Sequence, residues 1–184
     1  QHYWTTEWEP RGTSSSLALE NTGQSPLFVR VVTEGIPAQG EERASAEGIS
    51  LAVSYMTLDG KALDVSSLPQ GTNFQVAVTL RNPSGRTLRN LVLSEVFPAG
   101  WEILNTRYLN ASADSTATGI SYQDIRDDRV YSYIDVLPAG KQLTVKINAC
   151  AVYPGQFYLP PVSCEAMYDR SIRANTEGRR VEVE

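Results

Sequence analysis

The sequence predicts an all-β chain folded as an antiparallel β-sandwich, and three observations carry that reading. Apolar residues alternate strictly in several runs, as in "NFQVAVTL", where Phe74, Val76, Val78 and Leu80 share one face. Turn signals separate these runs at spacings of roughly 8 to 12 residues, as sandwiches require. No segment longer than about ten residues carries helical periodicity. The composition is that of an ordinary globular protein: 184 residues, 41% hydrophobic and 20% charged.

Along the chain, residues 1–47 read differently from the rest. Trp4 and Trp8 stand four residues apart, which fits one face of a helix end, against the β-favouring pair Thr5 and Thr6. "SSLALENTGQSPLFVRVVTEG" predicts one hairpin with its turn at Asn21 to Pro26. A lone hairpin cannot bury its own apolar face. Leu27, Val29 and Val31 on one side, or Phe28 and Val32 on the other, therefore need partner strands. Either the sandwich supplies them, or an exposed apolar edge is expected over residues 15–35. "IPAQGEERASAEG" is polar and acidic and predicts a linker. The domain boundary falls at 47/48, with the sandwich over 48–184.

Within the sandwich, "ISLAVSYMTL" opens the strands and Asp59-Gly60 predicts a two-residue hairpin. "NPSG" at 82–85 predicts the next turn, followed by "LRNLVLSEVF". "PAG" at 98–100 and 138–140 predicts turns with proline second and glycine fourth. "DRVYSYIDVL" places Val130, Ile134 and Val136 inward and Tyr131 and Tyr133 outward. "KQLTVKINACAVY" aligns Leu143, Val145, Ile147, Ala149 and Ala151 on one face. After the Pro154-Gly155 turn, Pro160 and Pro161 stop a strand, and a short helix fits 164–173. Val181 and Val183 point inward from the last strand.

The residues exclude several functions. A net charge of −5 without a basic cluster argues against nucleic acid. No apolar run reaches the ~18 to 20 residues of a membrane helix. The chain begins at Gln1 without a signal-peptide pattern, which suggests a piece of something longer. The single histidine, His2, leaves no Ser-His-Asp or Cys-His pairing and no histidine zinc site, so neither catalysis nor a cofactor is expected. Asp124, Asp127 and Asp128 could ligate calcium through oxygen, but Arg126 and Arg129 interleave with them and the EF-hand spacing is missing. A solvated loop with local ion pairs is the simpler expectation. "NAS" at 110–112 matches a glycosylation sequon or marks a polar loop. Cys150 and Cys164 are expected as free thiols, because a regular hairpin at Pro154-Gly155 would set Cys150 opposite a residue near 159.

Two features ask for a function. Tyr131 and Tyr133 project from one face and either pack on a neighbour or form a platform for a ligand. Met167 and Tyr168 occupy a surface loop between the acidic Glu165 and Asp169. The bland alternative is that Met167 fills its own core and Tyr168 ends a strand.

The C-terminal half also resembles the end of the bacterial α2-macroglobulins. The matching residues are Pro98-Ala99-Gly100-Trp101-Glu102-Ile103, Arg126-Asp127-Asp128-Arg129, Pro154-Gly155-Gln156-Phe157, Pro160-Pro161 and Met167-Tyr168, in that order. "GQSPLFVRVVTEGIP" is similar to the strand that follows the thioester domain in that family. The resemblance implies the trailing part of an interrupted CUB-like domain, then a terminal macroglobulin domain of fibronectin/immunoglobulin-like sandwich form. It implies a periplasmic or envelope-associated protease inhibitor, a trap in which cleavage of a bait region exposes a thioester. "CEAM" and "CAVY" do not match the thioester's Cys-x-Glu-Gln, so this chain carries no thioester of its own. Its implied partners are the thioester domain of the same full-length chain and, through the whole protein, target proteases. Met167 and Tyr168 are then implied as a lid over the thioester, with Pro160 and Pro161 fixing the loop. The rival readings are an exported sugar-binding or adhesive sandwich using exposed Tyr and Trp, and a hydrolase accessory domain.

Overall fold

Alternating apolar residues become strands throughout the computed structural model, which describes residues 4–7, 16–32, 35, 40–104 and 119–184. Thirteen strands and no helix occupy those residues. The chain divides into two compact units, Gln1–Gly35 and Ile36–Glu184.

All thirteen strands belong to the second unit, in three sheets. The six-stranded sheet runs β1 (Ser45–Glu47), β12 (Asp169–Asn175), β11 (Ser163–Ala166), β5 (Leu88–Val96), β8 (Arg129–Leu137), β7 (Tyr122–Ile125). The four-stranded sheet runs β2 (Ser50–Thr57), β4 (Asn73–Arg81), β9 (Gln142–Ala151), β6 (Trp101–Leu104). The third sheet joins β10 (Gly155–Leu159), β13 (Arg179–Val183) and β3 (Ser67–Leu68), with β13 and β3 parallel. Every other pairing is antiparallel. The inward faces bury one core, to which Phe74, Val78, Leu80, Leu91, Leu93, Val130 and Ile134 each contribute almost no exposed surface. This is the antiparallel sandwich that the alternation predicts, in the immunoglobulin-like form that the resemblance implies.

The predicted inward faces of β4 and β9 are all buried, as are Val181 and Val183. Val136 departs from expectation and is exposed, because the alternation changes phase there. On the facing strand, Leu88 and Leu91 both point inward, three residues apart. The cause is Asn90, at φ 53°, a left-handed backbone that asparagine tolerates better than most residues.

Several local expectations need correction. The loop at Asp59-Gly60 has three residues, since Thr57 N donates to Lys61 O at 2.8 Å and Gly60 takes φ 86°. Both "PAG" turns begin at proline: Trp101 N donates to Pro98 O at 2.9 Å and Lys141 N to Pro138 O at 3.1 Å. Glycine is therefore third, not fourth. Residues 164–173 form a hairpin, not a helix, because β11 is wedged between β5 and β12 and alternates in and out. Residues 45–47, expected within the linker, pair with β12. β9 and β10 do not pair; they lie in different sheets. Cys150 and Cys164 are both free thiols, and their strands belong to different sheets too.

In the first unit, the Asn21 turn forms: Asn21 Nδ2 donates to Ser25 O at 2.9 Å, and Gly23 N to Asn21 Oδ1 at 3.0 Å. Among the described residues, no paired strands flank it. Leu27, Val29 and Val31 on one side, and Phe28 and Val32 on the other, are all exposed, Phe28 by 93%. Trp4 is exposed and not helical. His2, Trp8 and the sequon at 110–112 lie outside the described residues.

Candidate functional site

Ala166 and Asp169 pair across a two-residue reversal, so Met167 and Tyr168 form the tip of the β11–β12 hairpin. Two-residue hairpins favour turns with positive φ, whose twist matches the strands. Neither tip residue adopts one. The ladder accordingly breaks next to the tip, where the register shifts between Glu165 and Ala166. Met167 is 52% exposed and Tyr168 83% exposed.

The backbone beneath them is fixed from two sides. Met167 N donates to Asn90 O at 2.9 Å, so the left-handed residue in β5 presents its carbonyl to the tip. Arg86 Nη2 lies 3.2 Å from Asp169 Oδ2, while Asp169 Oδ1 accepts from Ser171 N at 3.1 Å and from Ser171 Oγ at 2.6 Å. The Ser171 bonds, more than the exposed Arg86, hold the Asp169 carboxyl below its ordinary value. Glu165 points to solvent from the outer face. Asn90 and Arg86 are the residues that sequence reasoning missed. A polar, strand-averse asparagine inside "LRNLVL" was the available signal.

Pro160 and Pro161 are not brought to the tip. They lead the chain from β10 into β11, and the whole of β11 separates them from Met167. Their fixed φ serves the crossing between sheets, where Val162 N donates to Thr176 Oγ1 at 2.9 Å. A direct hold on the Met-Tyr loop is therefore replaced by positioning of the strand that ends in it.

Tyr131 and Tyr133 face outward, as expected, but are half-buried. Tyr133 packs against Tyr122 with ring centroids 5.8 Å apart, and Arg129 Nη1 donates to Tyr131 Oη at 3.4 Å. Of these three rings, Tyr122 alone is exposed. In the acidic stretch, Arg126 pairs with Asp124 at 2.9 Å and Arg129 with Asp128 at 2.6 Å. Among the described residues, no group of three or more His, Cys, Asp or Glu could hold a metal ion.

The tip is thus an exposed apolar pair on a hydrogen-bonded hairpin, and comparison with known proteins supplies its context. Residues 48–170 match the family model described as the bacterial alpha-2-macroglobulin MG10 domain. The chain belongs to the bacterial alpha-2-macroglobulin family. It is 27% identical over 163 residues to alpha-2-macroglobulin of Pasteurella multocida, covering 88% of this chain and 8% of that protein. It is 30% identical over 166 residues to that of Rickettsia conorii, covering 84% of this chain and 9% of that protein. The chain thus spans less than a tenth of the length of these alpha-2-macroglobulins. Among solved structures, native alpha-2-macroglobulin from Escherichia coli superposes with a TM-score of 0.70 at 22% identity, covering 82% of this chain and 25% of that one. Salmonella alpha-2-macroglobulin reacted with methylamine gives 0.67 at 25% identity, over 81% and 10%.

Proposed function

We propose that this chain is the non-catalytic C-terminal region of a protease-trapping alpha-2-macroglobulin, and that its β11–β12 tip covers the thioester on another domain of the same full-length chain. The observation that carries the reading is a pair of exposed side chains, Met167 and Tyr168, on a backbone pinned by Asn90 and Asp169. A thioester is an activated acyl group, so its lifetime depends on excluding water and amines. A thioether and an aromatic ring supply a dry cover, and burying both contributes on the order of 3 kcal/mol to docking. Little conformational entropy is lost on docking, because the hairpin is already ordered.

On the same reading, the exposed segment from Leu27 to Val32 is the trailing part of a CUB-like domain, whose partner strands come from elsewhere in the full-length protein. Target proteases are partners of that whole protein, and the family resemblance supports an extracytoplasmic, periplasmic or envelope location. The test is Tyr168→Gly in the full-length protein, with thiol release followed in buffer and in methylamine. Release should accelerate at least tenfold while the melting temperature of the 184-residue chain stays unchanged. Equal release rates for variant and parent would defeat the shielding role.

A further inference from the structure

The return strand of the tip hairpin has a second neighbour that the shielding function does not use. β12 pairs with β11 on one side and with β1 on the other. β1 closes a segment, residues 40–47, that leads into the sandwich, and side chains fasten this segment along its length. Near its start, Tyr158 Oη of β10 donates to Glu42 Oε2 at 2.5 Å and accepts from Gly40 N at 3.3 Å. The Tyr158 bond is the chief reason why the Glu42 carboxyl lies below its ordinary value. The phenol is seated beside Gly178, where any side chain would collide with its hydroxyl. In the middle, Asn175 Nδ2 donates to Arg43 O at 2.8 Å and Asn175 Oδ1 accepts from Ser45 Oγ at 2.5 Å. At the end, Arg173 Nε lies 3.2 Å from Glu47 Oε2.

This segment reaches the tip through β12. β11 pairs with Asp169 and next with Arg173, so Arg170, Ser171 and Ile172 have no partner in β11. Gly48, directly after β1, lies against that stretch. A Cβ there would stand 3.0 Å from Ser171 O and 3.2 Å from Ile172 Cγ1, and the Gly48 backbone takes φ 69°. Ser171 in turn donates from its N and its Oγ to Asp169 Oδ1, next to Tyr168. The contacts are therefore continuous: Glu47 and Gly48, then Arg173 and Ser171, then Asp169. With residues 40–48 lifted away, β12 becomes the edge of its sheet and residues 170–172 lose the backbone packed on them.

We propose that residues 40–48 are a release strap for the tip. Fastened along β12, they hold Met167 and Tyr168 in place; a pull from the chain ahead of Gly40 strips them from β12, loosens the hairpin and withdraws both side chains. The fastenings suit stepwise release. β1 has three residues, all exposed, and the rest are side-chain hydrogen bonds and one exposed ion pair. Each is weak alone, and a pull from one end breaks them in turn. The consequence for a protease trap, that a change of shape uncovers the thioester, rests on the reading of the tip as its cover.

Hydrogen exchange in the 184-residue chain, read by mass spectrometry, tests the coupling. Tyr158→Phe combined with Ser45→Ala and Glu47→Ala removes fastenings and leaves every residue of β11 and β12 in place. Exchange should rise roughly fivefold in peptide 40–48 and in peptide 166–172, while peptide 142–151 in β9 keeps the parent rate. Gly48→Ala, which acts at the far end of the strap, should also raise exchange in 166–172. A strap that exchanges no faster in the triple variant would overturn the proposal, as would a tip that keeps its protection in either variant. A rise that extends equally to β9 would overturn it too, because that is global unfolding. Thiol release from the full-length protein with the same three substitutions tests the cover separately: faster tip exchange with unchanged release keeps the strap and sinks the thioester reading.

Discussion

Asn82 gives the sharpest test of how this sandwich is held together. It directly follows β4 with no exposed surface, and one side chain joins two turns. Its amide nitrogen donates to Arg86 O at 2.8 Å, Leu137 O at 3.0 Å and Pro138 O at 3.1 Å. Its Oδ1 accepts from Ser84 N at 3.0 Å and Ser84 Oγ at 2.7 Å. Asn82→Leu keeps a similar size and removes all of these. Some carbonyls retain a second donor: Lys141 N reaches Pro138 O at 3.1 Å and Ser84 Oγ reaches Arg86 O at 3.0 Å. Leu137 O and Ser84 N lose the side-chain partner. At about 1 to 3 kcal/mol for each buried group left unpaired, the variant should lose roughly 4 kcal/mol. Urea unfolding of the 184-residue chain measures this as a lower midpoint at unchanged slope. Asn82→Asp should also destabilise at neutral pH, because it turns an acceptor toward carbonyls, and should recover in acid, where the carboxyl has a proton to donate. A loss below about 1 kcal/mol for Asn82→Leu would refute the claim that this residue ties the turns together.

Two further outcomes follow from buried titratable groups. The Glu95 carboxyl is raised from an ordinary 4.5 to about 8, so its contribution is complete below 4.5 and is lost as pH rises through 8. Glu95→Gln should therefore match the parent near pH 4 and exceed it at pH 8 by on the order of 3 kcal/mol or more, read by urea unfolding at each pH; a constant difference across the range would contradict this. Cys164 is buried with its thiol raised to about 12, whereas Cys150 is half-buried and raised chiefly by partial burial. Iodoacetamide at pH 8 should modify Cys150 at least tenfold faster than Cys164, as mass spectrometry of timed digests would show, and faster Cys164 labelling would contradict the fold.

The elements that the sequence made legible are those whose signal is local. β4 and β9 alternate without interruption, and each inward residue is where the alternation puts it. What stayed hidden depends on pairing between distant segments. "YPG" looks like a hairpin turn, yet β10 leaves its neighbour and pairs with β13, residue Gly155 against Val183. The run 164–173 carries Cys164, Met167, Tyr168 and Ile172 at spacings that also suit one helix face. Pairing with β5 and β12 on both sides decides for strand. The same limit hid the supports of the tip. Met167 and Tyr168 are visible as an unusual exposed pair, but nothing in their neighbourhood names Asn90, which is far away in sequence and supplies the carbonyl beneath them.

That separation matters for how the tip is held in place. The hairpin is short, and by itself would be marginal in water. Its stability is borrowed from β5, which pairs with it from Ser94 to Leu91 and is itself held by β8 from end to end. Core-facing Cys164 and Ala166 fasten its inner side, and Asn90 and Arg86 fasten its end. The apolar pair is thus exposed rather than packed into its own domain. In the first unit the opposite holds: Leu27, Phe28 and Val29 are exposed on a segment that, among the described residues, has no paired strand on either side. Two exposed apolar features in one chain therefore differ in kind. One stands on a backbone paired and hydrogen-bonded from two sides, while the other stands on a segment without paired strands among the described residues.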